Sequence, residues 1–216
     1  MSDHVSPVAT DPSTSTVVVF DLGNVVIPWD RRDAIRRFVE DPDEVERIAN
    51  EVFDLEANLH LDSGSHPDEI RAHIEARSPG HGWVLDGYLE HFRHSLGEVI
   101  AGTEAILDEL AERGVPRFGL SNWSALCFEG IEQHYPLLER FDGILISGDV
   151  GVCKPEPGIY RECERRFGFT ASDAVFLDDN ADNVEGALAA GWDAFTFTTP
   201  EAARAELVAR GLLGPA

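Results

Sequence analysis

The chain has 216 residues, 43% of them apolar, enough to fill the core of one large domain or of a domain with a smaller insert. Its formal charge of −23 argues against nucleic acid and anionic membranes as partners, because both require a basic surface that displaces counterions. No apolar run approaches the ~18 residues that cross a bilayer. The opening MSDHVSPVATDPSTST has neither the basic nor the apolar region of a secretion signal, and Cys127, Cys153 and Cys163 show no paired CxxC spacing. A cytoplasmic protein without a disulfide framework or zinc site is expected.

Residues 1–15 read as a polar tail. VVVF (17–20) has the length and β-branched content of a buried parallel strand and ends on Asp21. From residue 31 to about 100 the pattern turns helical, in DEVERIANEVF, PDEIRAHIEA and DGYLEHFRHSL, with no convincing strand; residues 30–100 are expected to form an inserted helical domain. Alternation then resumes. TEAILDELAERG is a helix closing on glycine, VPRFGL is a strand before Ser121, and GILI is a strand before Ser147. PGIYRECERRFG follows, with Pro157 in its first turn, then the strand AVFL before Asp178, the helix NADNVEGALAAG closing on Gly191, and the strand WDAFTF before Thr198. Strands alternating with helices predict an α/β fold, a doubly wound parallel sheet built from residues 16–29 and 101–216.

In such sheets ligands bind at the carboxyl ends of the strands, so Asp21, Ser121, Asn122, Lys154, Asp178 and Asp179 are expected to converge. Lys154 stands out further: the basic residues are 16 arginines and this one lysine, and a compact ammonium inside an anion site is not replaced by a planar fork. A carboxylate nucleophile, small hydrogen-bond donors, one fixed cation and carboxylates able to hold Mg²⁺ suit phosphate chemistry.

Four segments in this order, VVVFDLGNVV, FGLSNWS, GVCKPEPGIY and AVFLDDNADNVEGA, resemble the motifs of the haloacid dehalogenase-like superfamily of hydrolases, in the branch that carries a helical cap after the first motif. The resemblance spans about residues 16–200 and implies a Rossmann-like core. It implies that Asp21 attacks phosphorus to form an aspartyl-phosphate. Mg²⁺ would be held by Asp21, the Gly23 carbonyl and the acidic pair Asp178–Asp179, with Asp179 the favoured direct ligand and Asp178 orienting water or the lysine. Ser121 and the Asn122 amide would bind the phosphoryl oxygens, and Lys154 would neutralise charge there. Asn180, Asp182 and Asn183 continue the fourth motif: Asn183 would brace the loop or the lysine and Asn180 would cap the following helix, with pure capping the equal alternative for all three. The implied activity is hydrolysis of a small phosphorylated metabolite by a monomer or homodimer. The runner-up activity is 2-haloacid dehalogenation, which the paired acids disfavour; the remaining alternative is a non-catalytic binding protein of the same fold.

Gly23 departs from most phosphatases of this superfamily, which the resemblance implies carry an acid two residues after the nucleophile to protonate the leaving group. Two repairs are open: a substrate with an acidic leaving oxygen, such as a sugar 1-phosphate, or a proton donor elsewhere, with Asp30 or His60 as candidates. Relatives with FDLGNV in the first motif include sugar-phosphate phosphatases, which favours the first. In LEANLHLDSG (55–64), Asn58, His60, Asp62 and Gly64 fall at a helix-to-turn junction that is either substrate-selecting or a solvated loop. Trp123 either stacks on substrate or packs against the cap, and RRDAIRR (31–37) either attracts anions or forms a charged helix face.

Overall fold

The computed structural model describes residues 16–215; the tail read at 1–15 lies outside them. Five parallel strands form one sheet: β1 (Val17–Phe20), β2 (Arg117–Ser121), β3 (Gly143–Ile146), β4 (Ala174–Asp178) and β5 (Asp193–Thr196), in the order β3-β2-β1-β4-β5. β1 is central and buried along its whole length. Its alternating side chains supply both cores, Val18 and Phe20 on one face, Val17 and Val19 on the other. This two-sided burial explains why the strand reads as an unbroken apolar run. Phe20 pairs with Gly119 of β2 and Leu177 of β4, so the chain leaves the sheet at Asp21 between two neighbouring strand ends.

Between β1 and β2 the chain forms α1 (Arg31–Ile35), α2 (Pro42–Arg47), α3 (Leu55–Asp62), α4 (Pro67–Arg77) and α5 (Trp83–His91), then α6 (Thr103–Glu112), which returns to the sheet. The ends of the helical stretch are laced together: Asp30 N–H donates to Ser95 O at 2.8 Å and Gly97 N–H to Pro28 O at 2.9 Å. The helix expected over residues 43–53 ends early, passing after α2 into a wider π-turn at Ile48–Val52. That turn frees the Ala49 carbonyl to accept a hydrogen bond from the buried Arg31 guanidinium at 2.9 Å. Arg32 is engaged by Glu46, Asn50 and Asp30, and Arg36 by Asp33, so these three arginines of RRDAIRR are committed to local partners.

The remaining elements are α7 (Ala125–Phe128) after β2, α8 (Ser147–Val150) and α9 (Pro157–Phe167) after β3, α10 (Ala181–Ala189) after β4 and α11 (Pro200–Ala209) after β5. α9 and α10 cover the face carrying Val17 and Val19 through Ile159, Tyr160, Cys163 and Ala187. α6 and α11 cover the other through Ile106, Leu107, Leu110, Ala203 and Leu207. No described helix is long and apolar enough to cross a membrane.

α10 approaches the loop after Lys154 closely at Gly186, where an added Cβ would lie 2.7 Å from the Pro155 carbonyl oxygen and 2.9 Å from the Tyr160 hydroxyl. Alanine within a helix ordinarily gains about 0.5–1 kcal/mol over glycine. Here backbone would have to move, so Gly186→Ala is expected to destabilise by about 1–3 kcal/mol, read as a lower urea midpoint. A midpoint equal to or above that of the parent protein would contradict this packing.

Candidate active site

Asp21, Ser121 and Asp178 terminate or follow adjacent strands, and Lys154 reaches them from the loop before α9. The lysine is buried and its ammonium lies 2.8 Å from Asp21 Oδ1, 2.7 Å from Asp178 Oδ2 and 2.7 Å from the Leu120 carbonyl oxygen. Burial opposes its charge, but the fields of Asp178 and Asp21 outweigh that cost and raise its pKa. Asp21 Oδ1 also accepts from Ser121 Oγ at 2.8 Å and from the Leu22 amide at 2.7 Å. Its Oδ2 takes no hydrogen bond from the described residues, and Asp21 lines a cavity of about 360 Å³.

The adjacent acids differ. Asp178 receives Lys154 and Asn183 Nδ2 on Oδ2 (2.7 and 3.0 Å), and the Asn180 amide and Asn183 Nδ2 on Oδ1 (2.8 and 3.1 Å), which occupies its lone pairs. Asp179 opens onto the cavity and accepts at Oδ2 from Asn24 Nδ2 at 3.1 Å. Asn183 thus braces Asp178, while Asn180 caps α10 by accepting from the Asp182 amide. Asn122 clamps the lysine loop from both sides, donating from Nδ2 to Lys154 O at 2.9 Å and accepting from Lys154 N at 2.7 Å.

Oxygens of Asp21, Asp178 and Asp179 lie within 4.8 Å of one another, and among the described residues Lys154 alone opposes their charge. Burial is the largest influence on Asp21; Lys154 opposes it and Asp178 adds to it, and the carboxyl is pushed up to about 7. Burial raises Asp179 as well, against the hydrogen bond from Asn24. A cluster so short of positive charge, offering hard oxygen donors, fits a divalent cation such as Mg²⁺.

The Gly23 position lines the cavity, and an added Cβ there would meet nothing within 4 Å, so packing does not exclude a side chain. Neither candidate replacement acid reaches the cavity. Asp30 caps α1 through the Arg32 amide, and His60 packs against His73 with ring centroids 4.6 Å apart. Asp62 lines it instead, together with Asn58. Trp123 packs on Phe92 of the helical insertion, as one of its two readings expected, and also lines the cavity. Asn24 carried no expectation from its residue type. Its left-handed backbone, φ +56°, lets one side chain donate to Asp179 and accept from the Trp29 amide, joining the first and fourth motifs.

The model for haloacid dehalogenase-like hydrolases matches residues 16–191. A sesquiterpene phosphatase of Aspergillus oryzae is 30% identical over 110 residues, 51% of this chain and 55% of that protein. An (S)-2-haloacid dehalogenase of a Pseudomonas strain is 33% identical over 81 residues, 38% of this chain and 35% of that one. The chain therefore spans about half, or less, of the length of these relatives. A family enzyme of Bacteroides thetaiotaomicron, solved with magnesium and inorganic phosphate, superposes with a TM-score of 0.67 at 22% identity, covering 86% of this chain and 95% of that one. With its fold, four motifs and family-model match in agreement, the chain belongs to the haloacid dehalogenase-like hydrolases.

Proposed function

We propose that this hydrolase is a Mg²⁺-dependent phosphomonoesterase in which Asp21 forms an aspartyl-phosphate. The observation that carries the reading is the position of Asp179 beside Asp21, facing the cavity and not committed to Lys154. A third carboxylate there has no use in attack on the carbon of a haloacid, whereas it completes a cation site next to a phosphoryl group. Asp21, the Gly23 carbonyl and Asp179 would hold Mg²⁺, with Asp178 kept for the lysine. The cation supplies charge neutralisation for the incoming phosphate dianion. Ser121 and Lys154, already aimed at Asp21, are placed to stabilise the phosphoryl oxygens as charge develops on them.

The walls above this polar floor are Trp29, Leu55, Leu59, Phe92, Leu96 and Trp123. A sugar ring would set hydroxyls against surfaces that offer few partners, so the walls favour a monoester with an apolar organic group over the sugar phosphate expected from FDLGNV. The phosphatase name of the sesquiterpene relative agrees with that preference.

Release of 4-nitrophenol from 4-nitrophenyl phosphate should require Mg²⁺ and fall by about 10³-fold or more in Asp21→Asn. The kcat/KM for an aryl or long-chain alkyl phosphate should exceed that for a sugar 1-phosphate. Chloride release from 2-chloropropionate in place of phosphate release would establish the dehalogenase reading.

Metal binding should also be visible without turnover. Asp21 has its pKa raised on folding, so in metal-free protein its contribution to stability is fully present below pH ~4 and is lost as pH rises through about 7. Mg²⁺ relieves the repulsion and competes with the proton, so the rise in Tm on adding Mg²⁺ is expected to be larger at pH 8 than at pH 5.5. Equal shifts at both pH values would contradict a cation site built on Asp21.

A further inference from the structure

Breaking the P–O bond of an unactivated ester requires a proton on the departing oxygen, and residue 23 has no side chain to supply it. The carboxyl groups lining the cavity belong to Asp21, Asp179, Asp182 and Asp62. The first is the nucleophile, the second faces the cation site, and the third is exposed in the first turn of α10.

We propose that Asp62, at the carboxyl end of α3, is the proton donor to the leaving group and then the base for the attacking water; the assignment rests on the phosphatase reading above. Its place is fixed by the core. Ser147 Oγ donates to the Asp62 carbonyl at 2.6 Å and itself accepts from the amide of Trp123, two residues beyond Ser121, at 2.9 Å. Two residues further on, Gly64 adopts φ +77° and lies so close to α8 that a Cβ would sit 2.9 Å from the Gly148 carbonyl oxygen. The end of α3 is therefore pinned to the loop that carries the phosphate donors, although it belongs to the inserted helices.

The side chain is held as well. Asn58 Nδ2 donates to Asp62 Oδ2 at 2.7 Å, and the Ser124 amide faces the carboxyl. The ionisable groups around it are Asp21 and Lys154 at the sheet end, Tyr88 of α5, Cys127 of α7 and Cys153 before the lysine. Burial keeps the last three neutral and raises Asp62 well above the carboxylate range; the Asp21 field adds to that rise, against the Ser124 and Asn58 hydrogen bonds and Lys154. A shift in that direction favours the protonated form, the one the first step consumes.

Both steps balance. Asp21 attacks phosphorus, the bond to the ester oxygen breaks, and the Asp62 proton passes to that oxygen, releasing the alcohol and leaving Asp62 ionised. Water then attacks the phosphorus of the aspartyl-phosphate, its proton passes to Asp62, and the bond to Asp21 breaks. Inorganic phosphate is released, and both carboxyl groups return to their starting states.

The test is kcat/KM with Mg²⁺ for the parent protein and Asp62→Asn across phosphate esters graded from 4-nitrophenol to a simple alkanol. Asparagine retains an acceptor for Asn58. The expected loss is about tenfold or less with 4-nitrophenol, which departs unprotonated, rising to about 10²–10⁴-fold with the alkanol. Ser147→Ala keeps the carboxyl but releases the end of α3, and should show the same tilt in milder form even if Asp62→Asn does not fold. A uniform loss in both variants, with the parent active on the whole series, would overturn the donor role alone. A parent protein that hydrolyses none of the esters would overturn the phosphatase reading, and the Asp62 assignment with it.

Discussion

The site depends on one buried ammonium. Lys154 joins Asp21 after β1, Asp178 at the end of β4 and the Leu120 carbonyl of β2, tying three adjacent strand ends at one point. Two buried carboxylates around one lysine would be costly without further partners. Asn183 and the Asn180 amide complete Asp178, and Ser121 and the Leu22 amide complete Asp21 Oδ1. What stays uncompensated is the charge of Asp179 together with the cavity side of Asp21. The same arrangement that fixes the nucleophile thus creates demand for a second cation.

Much of this was legible in the chain because strand ends are legible. A fully buried parallel strand appears as a short apolar run, and the first polar residue after it lies at the sheet's carboxyl edge; Asp21, Ser121 and Asp178 follow from that rule. The lone lysine among arginines pointed to an ion site for a separate reason, the difference between a point charge and a fork. Less was legible where geometry is irregular. The π-turn at Ile48–Val52 goes with a hydrogen bond from Arg31 to Ala49 O, 18 residues apart, which no periodicity records. Asn24 matters because its backbone is left-handed, and Asp30 and His60, engaged in local capping and ring packing, do not line the cavity. Asp62 was visible only as one polar residue in a helix-to-turn stretch. Its relation to the core arises through Ser147, 85 residues later.

The inserted helices meet the core through a defined contact, which has a part in the chemistry under the Asp62 proposal. Their entry and exit segments are hydrogen-bonded to each other near Pro28 and Gly97, and α3 is fastened separately at Ser147 and Gly148. The apolar walls of the cavity include Leu55 and Leu59, both exposed, which the proposed function assigns to the organic part of a substrate. In the proposed phosphatase reading the polar floor would serve any phosphate ester, with selectivity assigned to the walls and leaving-group chemistry to the pinned end of α3.

The central claim is that phosphorus becomes bonded to Asp21. The direct measurement is a rapid acid quench of excess enzyme with an aryl phosphate and Mg²⁺, followed by peptide mass spectrometry to locate the phosphoryl group. The account predicts a phosphorylated peptide with the modification on Asp21, formed before inorganic phosphate and chased away by time. Phosphate release without that adduct, or an adduct confined to Ser121, would contradict it.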